Sequence, residues 1–551
     1  MSFEARLKVL TIFFLVFLCL ITVRLFYLQV IIGDKLVSAA QNQHFAELEI
    51  PAQRGKILAI DGTPIVTNHK SYLIFANAKK ITVPPSEILE KIGTISGNLN
   101  DPKAIWVPLK SRVTKEEKDR IMNYKITGID YAEEPIRFYP EASSAAHILG
   151  FVGMDINSRP KGYFGLEGNY ERELSGRAGY KRLEKDAFGR PIALAIETTI
   201  PAEDGRDLTT SIDKTAQMIV ESHLKEGVKT WGAISGTVIV MDPNIGSIIA
   251  MASIPSYDPE KYTDYDSELY KNPGVAETFE PGSIMKPLIM AAAINENKLT
   301  PQTNCPVCAG PRSLGGGVIR TFNNQYHPNL TMTDVLVNSD NTGMVYVGES
   351  LGKDLLLSYL YKYQFGQKTG IDLEEEEAGR VKTEWYPLDL ATVTFGQGVA
   401  VTPIQMARGF SVIANGGYLV TPHVVSKINN YSVPPATKVR ILSEETAKKI
   451  TAMLVEVNLK SPLHFPLERT ANLSHYKIAA KSGTAQIPIA GSYTDEKTIA
   501  SVIGFAPADE PKFVVYVKLN EPQVRIWGSD TSGPVFYNIV RDLLLYYNVS
   551  P

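Results

Sequence analysis

The stretch that decides the fold reads Glu280-Pro-Gly-Ser-Ile-Met-Lys-Pro287 and continues as an apolar run to residue 294. Ala, Leu, Ile and Met dominate the run 284–294, which predicts a buried helix. Pro287 has no N–H to donate to an interior helical bond, so its presence places Ser283 at or near the first helical residue. Backbone N–H groups in a first helical turn have no partner within the helix. We therefore expect the Ser283 N–H to be free for another acceptor, such as a developing oxyanion.

Lys286 follows Ser283 by three residues, which places its amine on the same helix face as the serine hydroxyl. Burial in an apolar run predicts a lowered pKa for Lys286, because desolvation disfavours the ammonium form. A neutral lysine can accept the serine proton. Ser-x-x-Lys also begins at Ser158, Ser211, Ser222, Ser350 and Ser474. The first two of these lie in Pro- or Asp-containing turns and the next two precede Gly-bearing helix ends, so context selects the match at 283.

A second motif, Ser339-Asp-Asn341, lies between two helical patterns, Met332–Val337 and 344–351. Alternate side chains could point the same way, which would put Ser339 and Asn341 on one side and Asp340 on the other. The alternative is a polar loop or a helix N-cap, because Ser, Asp and Asn all favour caps.

The third motif, Lys481-Ser-Gly-Thr484, lies in an alternating stretch, 476–487, that predicts a strand. A glycine such as Gly483 inside a strand marks the close approach of a ligand or another backbone. A second match, Lys-Thr-Gly at 368–370, follows a helix-like segment, 354–364, and predicts a connecting turn. Together the three motifs supply a nucleophile, two amines and polar groups for an acyl substrate. They predict a serine acyltransferase that uses lysine where other enzymes use histidine.

The ordered motifs resemble those of the penicillin-binding proteins, in particular the monofunctional class B D,D-transpeptidases, and the Ser-Asp-Asn form is closer to the division type than to the elongation type. Similar segments extend over nearly the whole chain: 242–251, 255–259, 394–398, 402–405, 414–417 and 503–507, and upstream 54–57, 139–140, 145–147, 165–167 and 186–190. The N-terminal module departs from the family pattern at Ala59 and Ile60, where Asp and Arg are usual.

The resemblance implies a catalytic role for each motif. Ser283 would attack the carbonyl of the penultimate D-alanine of a peptidoglycan stem peptide, and Lys286 would take its proton. The oxyanion would lie between the N–H groups of Ser283 and Thr484. Ser339 would relay a proton to the leaving amine, while Asn341 would bind the donor peptide and help to position Lys286.

The resemblance also implies how substrates and partners bind. Lys481 would tune Ser339 by its charge, and Lys481, Ser482 and Thr484 would anchor the terminal carboxylate, with Gly483 between them. The acyl group would pass to an amine on a neighbouring stem, whereas a β-lactam would leave a stable adduct on Ser283. A polymerising glycosyltransferase of the SEDS type is the expected membrane partner, among other cell-wall proteins.

Three alternatives share parts of this pattern. A β-lactamase would need a water activated for deacylation, and the long N-terminal module and membrane segment argue against it. A β-lactam sensor would need an intracellular signalling domain, and only a short segment precedes the apolar stretch. A catalytically inactive scaffold of the cell-wall machinery would keep the fold and lose the nucleophile, whereas all the motif residues are present here.

Residues 9–23 are apolar except for Thr11 and Thr22, and extension to residue 30 makes the segment long enough to span a bilayer. A cleaved signal peptide would need a small-residue site close behind, and residues 38–40 lie too far on. Arg6 and Lys8 precede the segment. We therefore expect a single-pass anchor in the plasma (inner) membrane, with the N-terminus cytoplasmic and the catalytic domain on the outer, periplasmic face.

The predicted organisation is a cytoplasmic tail at 1–8, an anchor at 9–30, an elongated, strand-rich pedestal or dimerisation-like module at 31–205, and a transpeptidase domain at 206–551. The fold class is α+β, with an antiparallel sheet flanked by helices in the transpeptidase domain. Asp61-Gly62 predicts a hairpin, and residues 215–225 a helix. The formal net charge is −3 and we find no basic, aromatic-studded patch, so the sequence gives no sign of nucleic-acid binding.

Cysteine and histidine usage argues against a metal or cofactor. Cys305-Pro-Val-Cys308 is one Cys-x-x-Cys pair, and a structural zinc site usually needs four ligands. Outside the membrane we expect a disulfide first, free thiols next and a metal last. Cys19 lies in the apolar segment and is expected to be inert. The eight histidines have no metal-binding spacing, and a Ser-His-Asp triad has no support.

Overall fold

The computed structural model describes residues 2–36, 45–77, 80–93, 98–99, 106–156, 159–184, 198–321, 324–434, 438–461, 473–489 and 492–551. The chain forms two compact units, one of Met1–Arg54 with Ser175–Gly205 and the other of Gly55–Leu174 with Arg206–Pro551. The family-like segment at 186–190 and the small residues at 38–40 lie outside the described residues.

The helices are α1 (Phe3–Phe26), α2 (Pro85–Ile92), α3 (Lys115–Asn123), α4 (Ala146–Leu149), α5 (Gly165–Asn169), α6 (Glu171–Leu174), α7 (Lys214–Trp231), α8 (Pro273–Ala276), α9 (Lys286–Asn295), α10 (Met332–Val337), α11 (Asn341–Leu351), α12 (Lys353–Lys362), α13 (Pro387–Val393), α14 (Pro403–Ala414), α15 (Glu444–Lys460) and α16 (Gly528–Tyr546).

The strands are β1 (Phe45–Ile50), β2 (Ile57–Leu58), β3 (Pro64–Asn77), β4 (Trp106–Val113), β5 (Ile129–Phe138), β6 (Phe151–Met154), β7 (Pro160–Tyr163), β8 (Gly179–Glu184), β9 (Thr198–Ile200), β10 (Leu208–Thr210), β11 (Ser235–Met241), β12 (Ile248–Ile254), β13 (Arg312–Leu314), β14 (Gly317–Ile319), β15 (Tyr418–Leu419), β16 (Val425–Ile428), β17 (Tyr431–Ser432), β18 (Val439–Arg440), β19 (Ala479–Ile489), β20 (Ser492–Ala506) and β21 (Phe513–Asn520).

The first unit contains the apolar N-terminal helix and a small sheet. The helix and the π-helical turn that follows it run from Phe3 to Ile31, which is 29 residues. At 1.5 Å per residue this is about 43 Å, longer than the roughly 30 Å of a bilayer's hydrocarbon. Its large apolar side chains are exposed on every face, as a helix surrounded by lipid requires. The sheet has the antiparallel strand order β1-β8-β9.

The second unit begins with a sheet of order β17-β16-β10-β2-β3-β4, in which β5 also pairs with β3. The predicted hairpin at Asp61-Gly62 is confirmed: Gly62 has φ +82°, and the Asp61 carboxylate accepts the Thr63 N–H at 2.9 Å. The turn joins β2 to β3, with Ile57 opposite Val66.

The predicted antiparallel sheet flanked by helices is confirmed in the second unit. Its strand order is β12-β11-β21-β20-β19, and every neighbouring pair is antiparallel. One face packs against α7 and α16 through a buried cluster that includes Leu224 and Val540. The other face packs against a larger core that contains α9 and α14. In the described part of the sheet β19 is an edge strand, which places Lys481-Ser-Gly-Thr484 at an open edge.

The predicted helix after Ser283 is confirmed. A 3₁₀ turn, Gly282–Met285, leads into α9, in which Lys286 to Ile294 are all buried and Pro287 occupies the first turn. The motif strand β19 begins at Ala479, slightly later than predicted, and the Lys-Thr-Gly match at 368–370 lies in irregular chain, as expected for a connecting turn.

Ser222 does precede a glycine-bearing helix end, at Gly232, but the helix predicted at 215–225 is longer than expected. Asp213 caps α7 by accepting the Thr215 N–H, and the helix then continues through Gly227 to Trp231. A Cβ on Gly227 would lie 2.4 Å from Val535 Cγ2, so this glycine lets α7 approach α16 closely. Tertiary packing therefore outweighs the low helix propensity of glycine here.

The predicted disulfide is present. Cys305 and Cys308 are bonded to each other, and both are buried.

Leu224→Ala is expected to lower the free energy of unfolding by about 2–5 kcal/mol, because Leu224 is fully buried between α7 and the sheet. The control is Met218→Ala in the same helix, which removes a side chain that is 64% exposed and should change stability by about 0.5 kcal/mol or less. Denaturant unfolding of the two variants measures both values. Equal losses would contradict the packing described for this face.

Candidate active site

Ser283 lies in the 3₁₀ turn that opens α9, and two glycines hold this turn in place. The Gly282 N–H donates to the Gly396 carbonyl at 3.0 Å. Gly396 has φ +82°, and a Cβ there would lie 2.2 Å from the Gly282 carbonyl oxygen. Glu280 adds a further contact, since its carboxylate accepts the Gly398 N–H at 2.8 Å. Residues 396–398 therefore form the support against which the serine turn rests.

The Lys286 side chain is fully buried and points at the Ser339–Asn341 motif. Its Nζ donates to the Ser339 carbonyl at 2.6 Å and to Asn341 Oδ1 at 2.8 Å, and it lies 3.2 Å from Ser339 Oγ. Asn341 Nδ2 donates to the Arg320 carbonyl at 2.9 Å, which turns the amide oxygen toward the lysine. Two acceptors and one hydroxyl thus surround the amine.

The surroundings of Lys286 favour its neutral form. Burial lowers the pKa of Lys286 well below its usual value, the charge of Lys481 acts in the same direction, and Asp340 opposes both. A neutral amine has two N–H donors and one lone pair. The Ser339 carbonyl and Asn341 Oδ1 can only accept, so they take the two donors. The lone pair is then left for a hydroxyl proton, as a general base requires.

The Ser339–Asn341 motif both caps a helix and directs two of its residues toward Lys286, so the two interpretations of its sequence are compatible. Asp340 is the N-cap of α11, where its Oδ1 accepts the Gly343 N–H at 2.8 Å. Ser339 and Asn341, on either side of it, face Lys286. Ser339 has φ +52°, a left-handed conformation that is uncommon for residues other than glycine and is typical of functional sites.

The motif on β19 lies against the serine turn. A Cβ on Gly483 would lie 3.1 Å from Ile284 Cγ2 and 2.9 Å from Ser501 Oγ, so the glycine permits this approach. Lys481 is buried, donates to the Ser482 carbonyl at 3.0 Å, and has its pKa lowered to about 7 by burial. Thr484 Oγ1 accepts the Gly528 N–H at 3.0 Å. The helix start, the loop and the strand therefore meet at one site.

Several residues of this site escaped the sequence prediction. Arg320 contributes a main-chain carbonyl, which any residue could supply, so no sequence signal marks it. Glu280 belongs to the serine segment, but no local pattern indicates its contact. Its bond to the Gly398 N–H joins segments far apart in the chain, as does the contact between Thr484 and Gly528. The Gly-Gln-Gly segment at 396–398 was found by resemblance alone.

A serine at a helix start, a buried lysine three residues further on and an open strand beside both fit a serine acyltransferase with a lysine base. Comparison with known proteins agrees. The family model described as "Penicillin binding protein transpeptidase domain" matches residues 236–541, and the model described as "Penicillin-binding Protein dimerisation domain" matches residues 49–210. The chain belongs to the penicillin-binding protein transpeptidase family.

Individual relatives match over most of their length. Stage V sporulation protein D of Bacillus subtilis is 32% identical, over 99% of this chain and 86% of the relative. Peptidoglycan D,D-transpeptidase FtsI of Escherichia coli K12 is 28% identical, over 96% of this chain and 89% of the relative. Penicillin-binding protein 3 of Mycobacterium tuberculosis, solved with aztreonam, shares the fold with a TM-score of 0.71 at 24% identity, covering 92% of this chain and 98% of that chain.

Gly396→Ala is expected to slow acylation of Ser283 by a β-lactam by roughly 10²-fold, because the new Cβ would displace Gly282, and displacements of about 1 Å have effects of this size. Gly416→Ala is the matched control: it has a similar φ, +79°, but its Cβ would lie 3.6 Å from the nearest atom. Stopped-flow acylation measures the rate constant. Equal slowing in both variants would show that backbone strain alone is responsible.

Proposed function

We propose that this protein is a membrane-anchored peptidoglycan D,D-transpeptidase that cross-links stem peptides through an acyl-enzyme on Ser283 and is inhibited covalently by β-lactams. The observation that carries the proposal is the buried Lys286 amine, held by the Ser339 carbonyl and Asn341 Oδ1 beside the serine turn. The family match and the names of the relatives support the same activity.

In the first half-reaction Ser283 Oγ attacks the carbonyl of the penultimate D-alanine, and its proton passes to the lone pair of Lys286. Such a proton transfer contributes roughly 10²–10⁴-fold. The N–H groups of Ser283 and Thr484 receive the oxyanion, and removal of one such donor costs about 2.7–4 kcal/mol in other enzymes. Collapse of the intermediate breaks the peptide bond, and Ser339 passes a proton to the departing D-alanine amine.

Binding of the donor peptide uses the edge strand and the Asn341 amide. Lys481, Ser482 and Thr484 hold the terminal carboxylate, with Gly483 between them. The open edge of β19 takes the peptide as an added strand. In the second half-reaction an amine of a neighbouring stem attacks the Ser283 ester and releases the cross-linked product. With a β-lactam the leaving amine stays tethered to the acyl group, so the adduct persists.

For the cellular role we favour septal over elongation synthesis, supported by the similarity to FtsI. A role in spore formation is a second candidate, because the relative from Bacillus subtilis carries a sporulation name. The basic residues before α1 support a cytoplasmic N-terminus and a catalytic domain on the outer face. We retain the division into residues 31–205 and 206–551, and a SEDS-type glycosyltransferase as the membrane partner, as parts of the proposal.

Fluorescent penicillin is expected to label the full chain, and Ser283→Ala is expected to abolish the label, because Ser283 lies in the turn that opens the Lys286 helix and packs against the edge strand β19. Ser474→Ala, in another Ser-x-x-Lys match, is the control and should keep the label. Intact-mass analysis locates the adduct. Absence of label in the native protein would favour the inactive scaffold, and rapid loss of the label would favour a β-lactamase.

The acylation rate constant is expected to rise with pH through the lowered pKa of Lys286 and to level off well below pH 10.5, the ordinary value for lysine. Affinity for a carboxylate-bearing β-lactam is expected to fall as pH rises through about 7, because Lys481 loses its charge there. Rate constants at several concentrations and pH values separate the two effects. Lys481→Met should remove the pH dependence of affinity. A rate that rises only near pH 10.5 would contradict a neutral Lys286.

A further inference from the structure

An ion pair outside the three motifs joins the central sheet to the segment that carries the nucleophile. Lys518 on β21 is fully buried, and its Nζ lies 2.6 Å from Glu277 Oε2. The Glu277 side chain is 36% exposed. Asn520 Nδ2 donates to the other carboxylate oxygen, Glu277 Oε1, at 3.0 Å and to Ser235 Oγ at 2.7 Å. Both oxygens of the Glu277 carboxylate are therefore held by β21.

This ion pair lies in the same row of the sheet as the Lys481-Ser-Gly-Thr484 motif. Gly483 pairs with Ser501, and Ser501 pairs with Lys518 on the next strand. Neighbouring strands are about 4.8 Å apart, so the Lys518 backbone lies roughly 10 Å from that of Gly483. The Lys518 Nζ is also 5.0 Å from the ring centroid of Phe279, within the range of a cation–π contact.

Residues 277–283, the nucleophile segment, run from this ion pair to Ser283. Phe279 exchanges backbone hydrogen bonds of 2.9 Å with Val401, and Gly282 donates to Gly396. These two contacts, and that of Glu280 with Gly398, attach the segment to residues 396–401. The contacts of Glu277 and Phe279 with Lys518 attach its other end to the sheet. The segment is thus fixed on two sides before it reaches the serine.

We propose that Lys518 and Glu277 are positioning residues, which set the Ser283 turn against the strand that binds the substrate carboxylate. They act through Phe279 and Gly282 and do not touch the substrate. A buried ammonium needs its carboxylate partner. Lys518 and Glu277 are in contact only when the nucleophile segment has its native position, so a displaced segment would lose the ion pair. The inference rests on the proposed transpeptidase function, because its measure is the acylation of Ser283.

The test compares Glu277→Gln, Lys518→Met and the double variant in the full chain with penicillin acylation. Glu277→Gln leaves a buried cation without its partner and should lower both the melting temperature and the acylation rate constant. The double variant replaces the pair by neutral side chains, so its melting temperature should recover. Its acylation rate constant should stay lowered by roughly 10–100-fold, with the apparent Kd for penicillin within about threefold of the native value, because a misplaced nucleophile slows the chemical step.

A matched control uses a second ion pair of this unit, Arg137–Glu167, whose two side chains are buried and whose charged atoms are 2.6 Å apart. Glu167→Gln should lower the melting temperature without lowering the acylation rate constant of the folded protein. The inference would be overturned if the double variant recovered its acylation rate constant as well as its melting temperature. It would also be overturned if Glu167→Gln slowed acylation as much as Glu277→Gln does. Failure of the native protein to be labelled would overturn the proposed function itself, and this inference with it.

Discussion

The buried amine of Lys286 is the group on which the rest of the active site depends. An amine inside an apolar helix is stable there only if it is neutral or if its donors are satisfied. The Ser339 carbonyl and Asn341 Oδ1 satisfy them, and the Ser339 backbone that presents this carbonyl is left-handed. Asp340 caps α11 in the same loop, so the start of that helix is fixed together with the lysine contacts. The same loop, residues 339–341, therefore holds the Lys286 amine and fixes the start of α11.

Local signals were enough to predict much of this arrangement. The apolar run after Pro287 gives the helix, and its burial gives the direction of the Lys286 pKa. The Cys305–Cys308 pair also follows from local spacing and cysteine count. The helix α7 was predicted too short because Gly227 resembles a stop signal, and only its packing partner, Val535, shows why it is not one.

The contacts that escaped prediction join segments far apart in the sequence. Gly396 meets Gly282, Thr484 meets Gly528, and Lys518 meets Glu277. In each case at least one partner is a main-chain atom or a side chain whose type is common on protein surfaces. Lysine is rarely fully buried in proteins, yet Lys518 is fully buried because the sheet is covered on both faces. Such contacts depend on how the helices and strands are arranged in the fold. Local sequence patterns do not show that arrangement.

The edge position of β19 has a consequence for the length of chain that can pair with it. An open strand edge accepts an extended peptide through its main-chain groups, whatever the peptide's side chains. Pro488 stands near the far end of β19, at an irregularity in its pairing with β20, and has no N–H to offer. Pro488 therefore cannot donate a ladder hydrogen bond on either side of β19. The motif Lys481-Ser-Gly-Thr484 lies before this proline, in the part of β19 where every residue has an N–H.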